Sequence, residues 1–311
     1  MRGFIEEVSS RLGLDKVLVE RDFLLHQILL DLSDSHFADD FAFKGGSCLI
    51  KHYIGYYRFS VDLDFTFLNQ QIFEGLSQKK IRRLLSSQID TIGELFEEIS
   101  KKRNLNFKCE KGERRYVELG GGNKFTTFKL WFPSMIGVES LIKIQINFVE
   151  KILFPIKDVK LRSICPESEE LKLLYPTYYR EYRRPIPFKV YDIREILCEK
   201  VRAILTRRGF KERDFIDIYL ISKRIGMDFE ELERETLEKL KFILELYQKY
   251  RRNLMEKASI LTIENFPFGS ERQLLITDIN KADFYSFLTQ FMPWLRKLTR
   301  TVLGTYNPEN P

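Results

Sequence analysis

Asp62 and Asp64, two carboxylates two residues apart, are the residues of this 311-residue chain best placed to do chemistry. In Ser60-Val61-Asp62-Leu63-Asp64-Phe65-Thr66-Phe67, polar and apolar residues alternate, so a strand puts both acids on one face and the apolar set on the other. Their α-carbons are then about 6–7 Å apart, close enough to converge on one cation or on two. Hard oxygen ligands of this kind suit magnesium or manganese. An edge strand with a solvated acidic face shows the same pattern. The residues just upstream shift the balance. The apolar run Phe41-Ala42-Phe43-Lys44 stops at Gly45-Gly46-Ser47, and a short helical pattern follows. Paired glycines let backbone approach a phosphate, and a helix start offers N–H groups and a favourable dipole. Gly45, Gly46 and Ser47 are therefore candidate nucleotide-binding residues, beside Asp62 and Asp64 as candidate metal ligands.

A second group lies far downstream. Between residues 192 and 208, Ile193, Ile196, Leu197, Ala203 and Ile204 form a helical apolar stripe with Lys200 in its middle. In the next helical stretch Asp214 and Asp217 fall on an otherwise apolar face. Charges on buried faces need opposite charges. Two readings stand: a buried ion pair joining two helices, or a lysine placed to offset phosphate charge and oriented by the aspartates.

These groups need elements to hold them. Helical spacing covers residues 15–32 and 77–103, and strands are expected at 105–110, 115–119, 126–132 and 141–148. Gly120-Gly121-Gly122-Asn123 between two of these strands fits a hairpin turn and lacks the spacing of a phosphate loop. Prolines 155, 166, 176, 185 and 187 punctuate a stretch without periodicity. Within it, Tyr178-Tyr179-Arg180-Glu181-Tyr182-Arg183-Arg184 mixes stacking and basic residues, which fits an RNA contact and a solvated loop equally. From residue 192 the pattern is helical almost to the end, with fraying expected over residues 307–311. The expected organisation is an α/β (α+β) domain over 1–150, a Pro-rich connection over 151–190, and a helical domain over 191–306.

Composition narrows the class. Hydrophobic residues make up 44% and charged residues 31%, a globular balance with 26 phenylalanines for its cores. No apolar run reaches transmembrane length, and acids occupy the start where a signal peptide is apolar. The four cysteines and three histidines show no zinc or thiol-redox spacing, so a reduced, cytoplasmic protein is expected. The net charge of +6 is compatible with a polyanionic partner without requiring one.

Phe43-Lys44-Gly45-Gly46-Ser47-Cys48-Leu49, followed by Arg58-Phe59-Ser60-Val61-Asp62-Leu63-Asp64-Phe65, resembles the signature of the AbiEii/AbiGii nucleotidyltransferase toxin family, in the DNA polymerase β-like superfamily. Val19-Glu20-Arg21-Asp22-Phe23, the stretch 195–207 and Arg213-Asp214-Phe215-Ile216-Asp217-Ile218-Tyr219 are similar to further family segments, in the same order. The resemblance implies a nucleotidyltransferase-type mixed sheet with flanking helices, then a largely helical C-terminal domain. It implies a metal-dependent enzyme moving NMP from an NTP to an acceptor, for some members the tRNA 3′ end, and paired with a cognate antitoxin. Gly45, Gly46, Ser47 and Lys200 would bind the nucleotide, and Asp62 and Asp64 would bind Mg2+ or Mn2+. Lys200, Asp214 and Asp217 would join the two acids as catalytic residues. Superfamily enzymes usually carry a third carboxylate on a neighbouring strand; here Lys143, Gln145 and Asn147 share that face, and Gln145 stands where the acid is expected. Two alternatives follow: a protein or small-molecule acceptor, or a catalytically weakened RNA- or nucleotide-binding relative.

Overall fold

A computed structural model describes residues 1–305, so residues 306–311, and with them the fraying expected over 307–311, lie outside the described part. The chain divides into two compact units, one of residues 1–150 and 156–191, the other of residues 151–155 and 192 onward.

In the first unit the elements run α1 (Arg2–Leu12), α2 (Lys16–Ser33), α3 (Phe37–Asp40), β1 (Phe41–Lys44), α4 (Gly45–Cys48), β2 (Asp62–Phe67), α5 (Gln78–Arg103), β3 (Val117–Gly120), β4 (Phe125–Pro133) and β5 (Glu139–Asn147). They continue with β6 (Lys157–Leu161), α6 (Glu169–Leu174), α7 (Pro176–Arg183) and β7 (Ile186–Val190). The seven strands form one mixed sheet in the order β3-β4-β5-β2-β1-β7-β6. β2 is antiparallel to β1 and parallel to β5, which makes β2 central.

Strand alternation sorts the sheet's faces. Phe43 and Phe65 pair in register, pack with Phe188, and build one core face; α3 adds Phe37 against Phe65 at 5.0 Å, and α5 adds Phe96 against Phe128 at 4.9 Å. The helices begin where side chains satisfy their first N–H groups. Asp15 accepts from Val17 and Leu18 at the head of α2, and Ser77 caps α5. Asp62, Asp64 and Thr66 point to the opposite, polar face.

Several expectations shift. The segment 105–110 is not a strand; only Asn106 bridges to Trp131. The proline-punctuated stretch folds into β6, α6, α7 and β7 of the first unit, with β6 and β7 joining its sheet. The Tyr/Arg-rich run is α7, neither loop nor open surface throughout: Tyr182 is buried and Tyr178 stacks on Phe4.

The second unit is helical: α8 (Ile193–Thr206), α9 (Glu212–Ile225), α10 (Glu233–Leu246), α11 (Gln248–Ile260) and α12 (Lys281–Thr305). Its core is aromatic, with Phe215, Phe229, Phe266, Phe291 and Trp294 in successive ring contacts. Residues 151–155 join it through Glu195, which accepts from the N–H groups of Leu153 and Phe154. Lys239, fully buried, pairs with Glu195 and donates to the Lys151 carbonyl. No helix among the described residues is long and apolar enough to cross a membrane.

Candidate active site

The apolar strand β1 ends because Gly45 adopts φ +72°, a left-handed conformation that turns the chain into α4. A Cβ at Gly45 would lie 2.3 Å from Asp64 Oδ2, so only glycine lets the turn pass against that carboxylate. At Gly46 a Cβ would lie 2.5 Å from Arg58 Nη2. The Ser47 hydroxyl donates to the Asp62 carbonyl and ties the turn to β2. Five predicted residues, Gly45, Gly46, Ser47, Asp62 and Asp64, are thus brought together. The Ser47 proton is committed to backbone, which leaves the hydroxyl oxygen as an acceptor.

Register completes the polar face. Asp62 lies opposite Lys143, and Asp64 lies between Lys44 on one side and Gln145 on the other. The Asp62 carboxylate has no hydrogen-bond or ion-pair partner among the described residues. Two half-buried carboxylates with a neighbouring amide oxygen are oxygen donors of the type a hard divalent cation takes, while no cluster of three His, Cys, Asp or Glu side chains that could hold a metal forms among the described residues. Lys44 sits 3.9 Å from Glu150, a buried acid just past β5, and 5.2 Å from the centre of the Tyr191 ring.

Arg58 and Glu150 carry no assignment from sequence. Arg58 is buried, donates to the Phe59 carbonyl and holds its guanidinium beneath Gly46. It lies in irregular chain ahead of β2, so no periodicity marks it. Its only signal is its place four residues before Asp62.

The segment after the turn is anchored from below. Residues Leu49–Tyr53 form a π-helical turn whose Lys51 pairs with Asp22 of α2 at 2.8 Å, both side chains fully buried. Tyr56 and Tyr182 donate to the same carboxylate at 3.0 and 2.7 Å. Burial and the Asp22 charge push both tyrosine hydroxyls well above their ordinary range, so they stay protonated donors. Glu20, two residues earlier, accepts from Ser134 and the Met135 N–H. The acids of 19–23 therefore fix the scaffold rather than face a ligand.

In the second unit, Lys200 of α8 lies 2.7 Å from Asp214 and 2.7 Å from Asp217 of α9, and Arg207 also meets Asp214 at 2.7 Å. Burial raises the Asp214 carboxyl, but Lys200 and Arg207 outweigh it and hold it below the ordinary aspartate range. The ion-pair reading of these three residues is realised in the structure. Lys200 keeps about a tenth of its side chain exposed.

The family model described as nucleotidyl transferase AbiEii toxin, type IV toxin–antitoxin system, matches residues 27–298. The chain belongs to this family. As an AbiEii-family toxin nucleotidyltransferase, it takes NTP as substrate and has an antitoxin as counterpart. Among solved structures it is similar in fold to the nucleotidyltransferase toxin MenT4 from Mycobacterium tuberculosis H37Rv. The TM-score is 0.54 and the identity 15%, covering 97% of this chain and 99% of that one. No curated relative matches the chain. The matched range starts after Val19–Phe23, so the segment that anchors the π turn lies outside it.

Proposed function

We propose that this toxin transfers a nucleoside monophosphate from an NTP to the 3′ hydroxyl of tRNA, with a divalent cation, magnesium or manganese, held by Asp62 and Asp64. The observation that carries this is the packing of Asp64 directly against the Gly45 turn. It sets a phosphate-approach backbone and a metal-binding carboxylate pair within one side-chain length. The acceptor oxygen forms a bond to the α-phosphorus as the bond to the β-phosphate bridging oxygen breaks, and pyrophosphate leaves. The hydroxyl proton passes to solvent water, because Gln145, standing opposite Asp64, is no base. The bound cation supplies charge neutralisation on the phosphates.

Gly45, Gly46 and Ser47 hold the triphosphate through backbone N–H groups, because the Ser47 hydroxyl proton is already given to the Asp62 carbonyl, and Arg58 supports the turn from beneath. Lys200 is the candidate for offsetting phosphate charge, with Asp214 and Asp217 as the groups that orient it. A cytoplasmic location follows from the tRNA substrate.

The test is incubation with total tRNA, magnesium and each α-labelled NTP in turn, comparing wild type with Asp62→Ala. Label on tRNA that disappears in the variant supports the reading. Label on protein or on a small molecule moves the acceptor. Magnesium-dependent nucleotide binding with no labelled product supports instead a weakened binding relative, the reading that Gln145 motivates.

A further inference from the structure

We infer that the polar face of β5 and β4 beside Asp62 is the path of the acceptor, and that it takes the single-stranded 3′ end of an RNA. The inference rests on the transfer reading above for its geometry, and on the face's own residues for its chemistry.

Sheet order sets the direction. The phosphate turn follows β1, on one side of β2, while β5 and then β4 lie on the other side. With the β- and γ-phosphates at Gly45–Ser47 and the α-phosphorus over Asp62 and Asp64, pyrophosphate leaves toward β1. In-line displacement requires the attacking oxygen to come from the opposite side. That side is the β5–β4 face.

The residues there suit a polyanion with stacking bases. Lys143, exposed and in register with Asp62, has no ion-pair partner among the described residues. Lys129 of β4 is the next residue along the same row; it pairs with Glu118 at 2.8 Å. Two positions along β4, Trp131 carries the Arg115 guanidinium on its ring at 4.4 Å. Arg115 also meets Glu139 at 2.6 Å and keeps more than a third of its side chain exposed. A half-exposed guanidinium over an indole offers a cation and an aromatic surface to a stacking base. Neighbouring strands are about 4.8 Å apart, so the row from Asp62 to Lys129 spans about 10 Å. It begins beside Asp62 with the exposed Lys143 cation, which makes no salt bridge among the described residues. An acidic protein would find the cations but have no use for the stacking plane, and a small acceptor would not span the row.

The experiment uses the full chain and a 5′-fluorescent single-stranded oligoribonucleotide with a free 3′ hydroxyl. Lys143→Gln and Arg115→Gln are compared with Lys160→Gln on β6, at the far edge of the sheet. Binding is followed by anisotropy across a salt series, with NTP binding measured separately. Each face variant is expected to weaken RNA about tenfold, and Lys143→Gln to reduce the slope of log K against log salt by about 0.7. NTP affinity and the Lys160→Gln protein stay at wild-type level. RNA affinity unchanged in both face variants, or no RNA binding by wild type, overturns the path. Wild type that labels tRNA while the face variants bind normally removes the path and leaves the transfer reading intact. Face-dependent RNA binding with no transfer does the reverse.

Discussion

Asp64 touches the Gly45 turn so closely that a β-carbon on residue 45 would overlap its carboxylate, at 2.3 Å from Oδ2. The contact couples the two halves of the first unit's candidate site: moving the turn moves the Asp64 carboxylate. Gly45→Ala meets both this overlap and a φ of +72° that alanine adopts at a cost of about 1–2 kcal/mol. The expected outcome is a loss of transfer of a hundredfold or more, on the order seen when reacting groups are displaced by about 1 Å. Thermal unfolding should show a melting temperature lower by only a few degrees. Wild-type turnover in the folded variant refutes the coupling.

Asp62 has an unpartnered carboxylate on the polar face, so its charge serves nothing in the described fold. Asp62→Asn should leave stability unchanged or raised, since half-buried charge is removed. Transfer and magnesium-dependent nucleotide binding should both fall, and EDTA should reproduce the loss in wild type. A variant that loses stability instead assigns Asp62 to the scaffold.

The ion-pair role of Lys200 and its proposed phosphate role separate by substitution. Its removal leaves the buried Asp214 with Arg207 alone, so Lys200→Met should cost about 3–5 kcal/mol. Lys200→Arg keeps the charge and should recover most of that stability. It should not recover transfer, because a planar fork cannot replace a compact ammonium at one point. The pH sign follows from the lowered Asp214 pKa: its contribution is full above the ordinary aspartate range near ~4 and is lost as pH falls through the depressed value. Denaturant titrations at neutral and acid pH read both effects. Equal activity in Lys200→Arg and wild type sinks the catalytic assignment.

How much of this was legible beforehand depended on whether the signal was local. Alternation around Asp62 and Asp64 needs one strand, and the stripe through Lys200 needs one helix; both patterns survive in the fold. The residues 105–110 alternate too, but β4's edge is already taken by β3 along 125–128, leaving only Trp131 for Asn106. The stretch 157–190 makes short elements of five to eight residues, each below the length at which periodicity shows. Asp22 and Lys51 are 29 positions apart and meet only in three dimensions, as Arg58 meets Gly46. No spacing rule exposes such pairs. The same holds for Gln145 opposite Asp64, where sequence gave the face and the register gave the partner.

The Asp22–Lys51 pair anchors the π turn behind the Gly45–Ser47 turn, and breaking one side leaves a buried charge. Asp22→Asn should destabilise by about 3–5 kcal/mol, while Asp22→Asn combined with Lys51→Met should recover part of the loss. In the double variant the KM for NTP should rise more than kcat falls, because the turn is loosened rather than stripped of a reacting group. Additive losses in the double variant contradict the pairing.

His26 supplies a pH dependence on the acid side of neutrality. Burial, with help from the Lys51 charge, lowers its pKa to about 3. Its Nε2 lies 3.1 Å from the Arg184 carbonyl and so carries the proton, while Nδ1 is buried without a partner. A second proton would enter at the buried Nδ1, and burial disfavours the resulting charge. The unfolded chain takes that proton near pH 6.5 and the folded chain refuses it until about 3, so stability falls as pH drops through this window. Between pH 7 and 4.5 the loss is about 2–3 kcal/mol from this residue. His26→Gln retains a donor for the Arg184 carbonyl and removes the titration. Urea unfolding of wild type and His26→Gln at pH 7, 5.5 and 4.5 should therefore converge toward acid, with wild type losing its lead. Parallel pH profiles would show that the imidazole is hydrated or protonated in the fold.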